Sequence, residues 1–108
     1  MIDLDKINHE IGERQRVDAA FDYVGYLYDE NVGWDVLVKT IRSVAIADIY
    51  EAERIALRDP RWRDWTTRRI ALDPRCAKRA RFHIKLHKDR SLISLDNGSV
   101  TFSMLAIQ

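Results

Sequence analysis

His83, Lys85 and His87 stand two residues apart in a segment crowded with cations. A metal-independent ribonuclease needs a general acid, a general base and a cation beside the phosphate, and these three side chains are of the right types. On a β-strand they would share one face. Reach argues against them as a catalytic set, because strand residues four apart are roughly 13 Å apart, too far to flank one phosphate. On a helix, His83 and His87 would instead be neighbours able to share a metal ion. Two imidazoles with no carboxylate or thiolate beside them make a poor site, and Cys76 has no evident place in it. No glycine-rich phosphate loop, nucleophile elbow, zinc-finger spacing or calcium loop occurs in the chain. With 4 glycines, a phosphate cradle of backbone amides has little to be built from. The sequence points to a non-enzymatic protein with no cofactor and no metal, and catalysis ranks third behind two binding functions.

Binding is the stronger theme. Residues 78–88, KRARFHIKLHK, hold seven positive or titratable side chains in eleven positions. Residues 58–90 carry 12 Lys/Arg against 4 Asp/Glu, whereas residues 1–57 carry 6 against 12. The net charge of +1 therefore hides a polarised chain. Such asymmetry suits a nucleic acid or an acidic protein as partner. Arginines outnumber lysines nine to three among residues 58–90, which favours bidentate contacts to phosphate or carboxylate. The candidate anion-binding residues are Arg61, Arg63, Arg68, Arg69, Arg75, Lys78, Arg79, Arg81, Lys85, Lys88 and Arg90. A solvated basic face, or one neutralised by the chain's own acidic half, is the plain alternative. Trp62 and Trp65 lie three apart among these arginines. They could stack bases, but tryptophans at helical spacing are more simply core anchors.

The acidic half has an aromatic cluster of its own. Phe21, Tyr23, Tyr26, Tyr28 and Trp34 lie among Asp18, Asp22, Asp29, Glu30 and Asp35. One helix cannot bury all of these rings on one face, so Tyr23, Tyr26, Tyr28 and Trp34 are candidates for a protein interface, including a homodimer. The second functional expectation is thus an inhibitor or adaptor that recognises a larger protein.

The elements that position these residues read as follows. Apolar residues from Leu4 to Tyr28 step by threes and fours and predict a helix over 4–29, with a break near Gly12 or Gly25 plausible on propensity. Asn31-Val32-Gly33 is its exit. Trp34, Leu37, Val38 and Ile41 open a second helical stripe, and Ile46 to Leu57 forms a third or continues the second. Asp59-Pro60 and Asp73-Pro74 each mark a helix start. The first helix runs to about Leu72 and the second, short and basic, from Arg75 to about Ala80. Phe82, Ile84 and Leu86 then alternate with polar residues and predict a strand over 81–87. Leu92–Leu95 is a second strand, and Asn97-Gly98 predicts a two-residue hairpin that pairs Leu95 with Val100 and Ile93 with Phe102.

The expected fold is α+β: three to five helices in a helical part over 1–80, then a three-stranded antiparallel meander over 81–107. If 75–90 is one helix, that helix and the hairpin become the recognition helix and wing of a winged helix-turn-helix. The 108 residues fit one domain over 1–108. A 46% hydrophobic and 32% charged composition excludes disorder, and no apolar run is long enough to span a bilayer, so no membrane partner is expected. MIDLDKINHE lacks the features of a secretory leader. The single Cys76 cannot form an internal disulfide, which fits the cytoplasm. The leading expectation is a small nucleic-acid-binding protein with a regulatory or accessory role.

Overall fold

The computed structural model describes residues 3–108, in seven α-helices, one 3-10 turn and one two-stranded sheet. Met1 and Ile2, which open the expected helical part, lie outside the described residues. The chain forms two compact units, one ending at Ala56 and the other running Leu57–Gln108. Among the described residues no helix is long and apolar enough to cross a membrane.

In the first unit, α1 (Leu4–Val17) starts at Asp3, whose carboxylate accepts hydrogen bonds from the amides of Asp5 and Lys6. Gly12 stays within the helix. The expected helix over 4–29 breaks at Asp18 instead. The Asp18 carboxylate accepts from the Ala20 amide and its carbonyl accepts from Phe21, so a local turn outcompetes the next helical turn. The chain restarts at Asp22, which caps α2 (Tyr23–Asp29) through the Gly25 amide. Asn31 then adopts the left-handed conformation, φ 59°, expected of a helix exit. The third helix, α3 (Trp34–Ala45), packs against both α1 and α2, and Ile11, Val24, Leu27, Leu37 and Ile41 are buried here. It ends at Ile46, a left-handed residue with φ 51° that is 93% exposed. Asp48 starts α4 (Ile49–Leu57) by accepting from the Glu51 amide.

In the second unit, the two Asp-Pro signals act as read. Asp59 caps α5 (Pro60–Leu72) through the Arg61 amide, and Asp73 caps α6 (Pro74–His87) through the Arg75 amide. Asp73 is also the residue that ends α5, so one residue joins the two helices. The expected strand over 81–87 does not form: α6 continues to His87 and the meander has two strands, not three. Ala77, Lys78, Arg79, Ala80, Arg81, Lys85 and Leu86 are strong helix formers, and a capped helix already under way propagates through them. A 3-10 turn, η1 (Lys88–Arg90), leads into β1 (Ile93–Asp96), which pairs antiparallel with β2 (Ser99–Phe102). The register is the one predicted, Leu95 opposite Val100 and Ile93 opposite Phe102. Asn97 and Gly98 take positive φ, 52° and 82°, as a two-residue hairpin turn requires. α5 packs on α6 and β2, and α6 on β1. A short C-terminal helix, α7 (Met104–Ile107), which the sequence reading missed, buries Ile107. The Arg58 guanidinium donates to its carbonyl at 3.1 Å.

Candidate nucleic-acid interface

The helical state of residues 81–87 re-sorts every side chain in the basic segment. Cys76, Ala80, His83, Ile84 and His87 recur three and four apart and form the buried and half-buried side of α6. Arg75, Lys78, Arg79, Arg81, Phe82, Lys85 and Leu86 are all exposed on the remainder. The strand reading buried Phe82, Ile84 and Leu86 together; on the helix only Ile84 turns inward. Phe82 is 64% exposed and Leu86 is 59% exposed. Four residues apart, they lie one above the other, with Arg75 in line with them two turns before Phe82, Arg79 on one flank, and Lys78 and Lys85 on the other. The result is a cationic helix face with an apolar centre.

The other predicted cations divide by where they are anchored. Arg61 turns back onto the capping Asp59, with Nη2 to Oδ2 at 3.1 Å. Arg63 donates to the Leu57 and Arg58 carbonyls at 2.7 and 3.0 Å and so closes the end of α4. These two guanidinium groups have structural work. Arg68 and Arg69 are exposed on α5, and the Arg69 guanidinium lies 5.1 Å from the centre of the Trp65 ring. Trp65 meets Trp62 edge-on at 5.4 Å, and Trp62 is 1% exposed, which makes this pair a core anchor with a guanidinium cover. Lys88 and Arg90 are exposed on η1. Among the described residues, Lys78, Arg81, Lys85 and Lys88 form no ion pair. Arg75 lies 3.7 Å from Asp73, whose carboxyl is held below the usual carboxylate range chiefly by the Arg75 amide.

No protein-family model matches this chain, and neither a curated protein nor a solved structure does. Its chemistry must be read from its own side chains.

The helix also parts the trio His83, Lys85 and His87. Residues two apart on a helix point about 200° from each other, so Lys85 faces solvent while both histidines turn to the half-buried side. Their ring centroids are 4.5 Å apart. The Leu92 amide donates to His83 Nε2 at 3.1 Å. That bond uses the lone pair on Nε2 and places the proton of the neutral ring on Nδ1. His83 thus serves as an acceptor that ties α6 to the start of β1. Cys76 adds nothing to a catalytic or metal site. Burial, then the neighbouring Asp73 carboxylate, pushes its thiol up, so the thiolate needed for attack or ligation is disfavoured.

In the first unit, Tyr23, Tyr26, Tyr28 and Trp34 are each half-buried. The Arg14 guanidinium sits 5.1 Å from the Tyr26 ring centre and 5.4 Å from that of Phe21, and pairs with Glu10 at 2.7 Å. Burial raises the phenols of Tyr23 and Tyr26, with Glu30 and Glu10 adding to the effect at Tyr26. The rings and the acids around them are thus partly engaged within the chain. No signal in the sequence distinguished Arg14 as their cover.

Proposed function

We propose that this protein is a small non-enzymatic, cytoplasmic nucleic-acid-binding protein with a regulatory or accessory role, and that α6 is its binding helix. The observation that supports this most is the exposed α6 face, where Lys78, Arg81 and Lys85 stand without ion-pair partners among the described residues. Neutralising phosphates with such side chains releases counterions, which favours association without any preformed pocket. In chain order, α5, α6 and the β1–β2 hairpin follow the scheme of helix, recognition helix and wing in a winged helix-turn-helix. The hairpin tip brings Asp96 and no cation, so backbone contacts beside it fall to Lys88 and Arg90 at its base. The test is an anisotropy titration at low salt with labelled duplex DNA, duplex RNA and single strands. Binding that weakens steeply with salt is expected, and no binding to any of them would sink the reading.

One observation favours a second reading. Phe82 and Leu86 form an exposed apolar centre with a charged rim, which is also the anatomy of a protein hot spot. An inhibitor or adaptor binding an acidic surface would use the same face. A pull-down whose partners survive nuclease treatment would support it.

A further inference from the structure

Phe82 and Leu86 are not explained by attraction to phosphate. Phosphate contacts need cations or hydrogen-bond donors, and a helix that only followed a backbone would gain little from two large apolar side chains more than half exposed on its cationic face. Chemistry that suits them is found on duplex DNA. In the major groove of B-form DNA each base pair presents hydrogen-bonding groups, and thymine alone adds a methyl group. That groove, about 12 Å wide, admits an α-helix. The deep, narrow major groove of A-form RNA does not, and uracil lacks the methyl.

The spacing agrees. Four residues on a helix rise about 6 Å, close to two base-pair steps of about 3.4 Å each. Two apolar tips so placed meet methyl groups two base pairs apart. The flanking cations suit the two walls of the groove, which are lined with phosphate: Lys78 and Lys85 lie on one side of the apolar pair and Arg79 on the other, with Arg75 in line with the pair at the N-terminal end of the helix. At 14 residues, α6 is about 21 Å long, enough to follow the groove over several base-pair steps.

Resting on the nucleic-acid reading, we infer that the substrate is thymine-containing duplex DNA, with Phe82 and Leu86 reading thymine methyl groups in the major groove while the cations beside them hold the two phosphate backbones.

The experiment uses the full chain and three labelled duplexes of one thymine-rich sequence: ordinary DNA, the same DNA with deoxyuridine at every thymine, and RNA. Removing the methyl groups changes no charge and no hydrogen-bonding group. Affinity for the thymine duplex should exceed that for the deoxyuridine duplex about tenfold, the effect of burying two methyl groups. Phe82→Ala and Leu86→Ala should bring the first affinity toward the second and leave its salt dependence intact. Lys85→Ala, in contrast, should weaken both duplexes equally. Circular dichroism of each variant confirms that it folds, which the exposure of both apolar side chains favours. Equal affinity for the two DNA duplexes, or tighter binding to RNA, overturns this inference and leaves nucleic-acid binding standing. Failure to bind any of the three overturns both. Polyglutamate binding as tight as DNA binding, with no preference for thymine, overturns it in favour of an acidic protein partner.

Discussion

His83 shows how the role of one residue depends on one hydrogen bond. Leu92 is 0% exposed, and its amide has the His83 imidazole as acceptor. Removing that acceptor leaves a buried donor unmet, at a cost of about 1–3 kcal/mol. His83→Ala is therefore expected to lower the unfolding free energy by that amount in a denaturant titration and to leave nucleic-acid affinity of the folded protein within a factor of two or so, since the ring turns away from the exposed face. A large loss of affinity with unchanged stability would reverse this assignment. The sequence showed a histidine in a cationic row. The partner that gives it a structural purpose is nine residues away and becomes visible only once α6 is extended through His87.

At the scale of the element, legibility follows how local the deciding physics is. Asn97-Gly98 and the two Asp-Pro pairs each act within a few residues, and the hairpin register and both helix starts could be read from them. Residues 81–87 were misread because Phe82 and Leu86 are two strand periods apart and also one helical turn apart, so the same two residues satisfy both patterns; the continuous run from Asp73 decides for the helix. The end of α3 was unreadable for another reason. Ile46 carries a left-handed backbone that β-branched residues disfavour, and nothing in Val44-Ala45-Ile46-Ala47 announces a stop. Only Asp48 with Glu51 three residues on hinted at a new start. With its side chain 93% exposed, Ile46 loses no packing on mutation, and Ile46→Gly should stabilise the protein by about 1 kcal/mol, seen as a rise of a few degrees in melting temperature. Asp73 provides a pH signature. Its folded carboxyl lies below the ordinary value of about 3.9, so its contribution to stability is complete above that value and is lost as pH falls through the lower folded one. Acid melts should show a smaller loss of stability in Asp73→Asn than in the parent over that interval.

For the whole molecule, charge is the property the sequence states most openly. The unit ending at Ala56 holds 6 Lys/Arg against 12 Asp/Glu, and the Leu57–Gln108 unit holds 12 against 5. The boundary between compact units is therefore also the boundary between signs. Composition could show the polarity, but it could not show that Arg61 and Arg63 are bound to their own backbone and caps while Lys78, Arg81 and Lys85 are presented outward, because that depends on helical phase. If each outward cation meets a phosphate, the slope of log K against log salt should shrink by about 0.9 on Lys85→Ala. Arg63→Ala should leave that slope unchanged and lower stability instead.

Asp73 ends one helix and begins the next with no residue between. Its amide donates to the Arg69 carbonyl that closes one rod, while its carboxylate accepts from the Arg75 amide that opens the other. A joint without slack leaves no spacer to absorb a bend, so a change of backbone at this single position is felt by both rods at once.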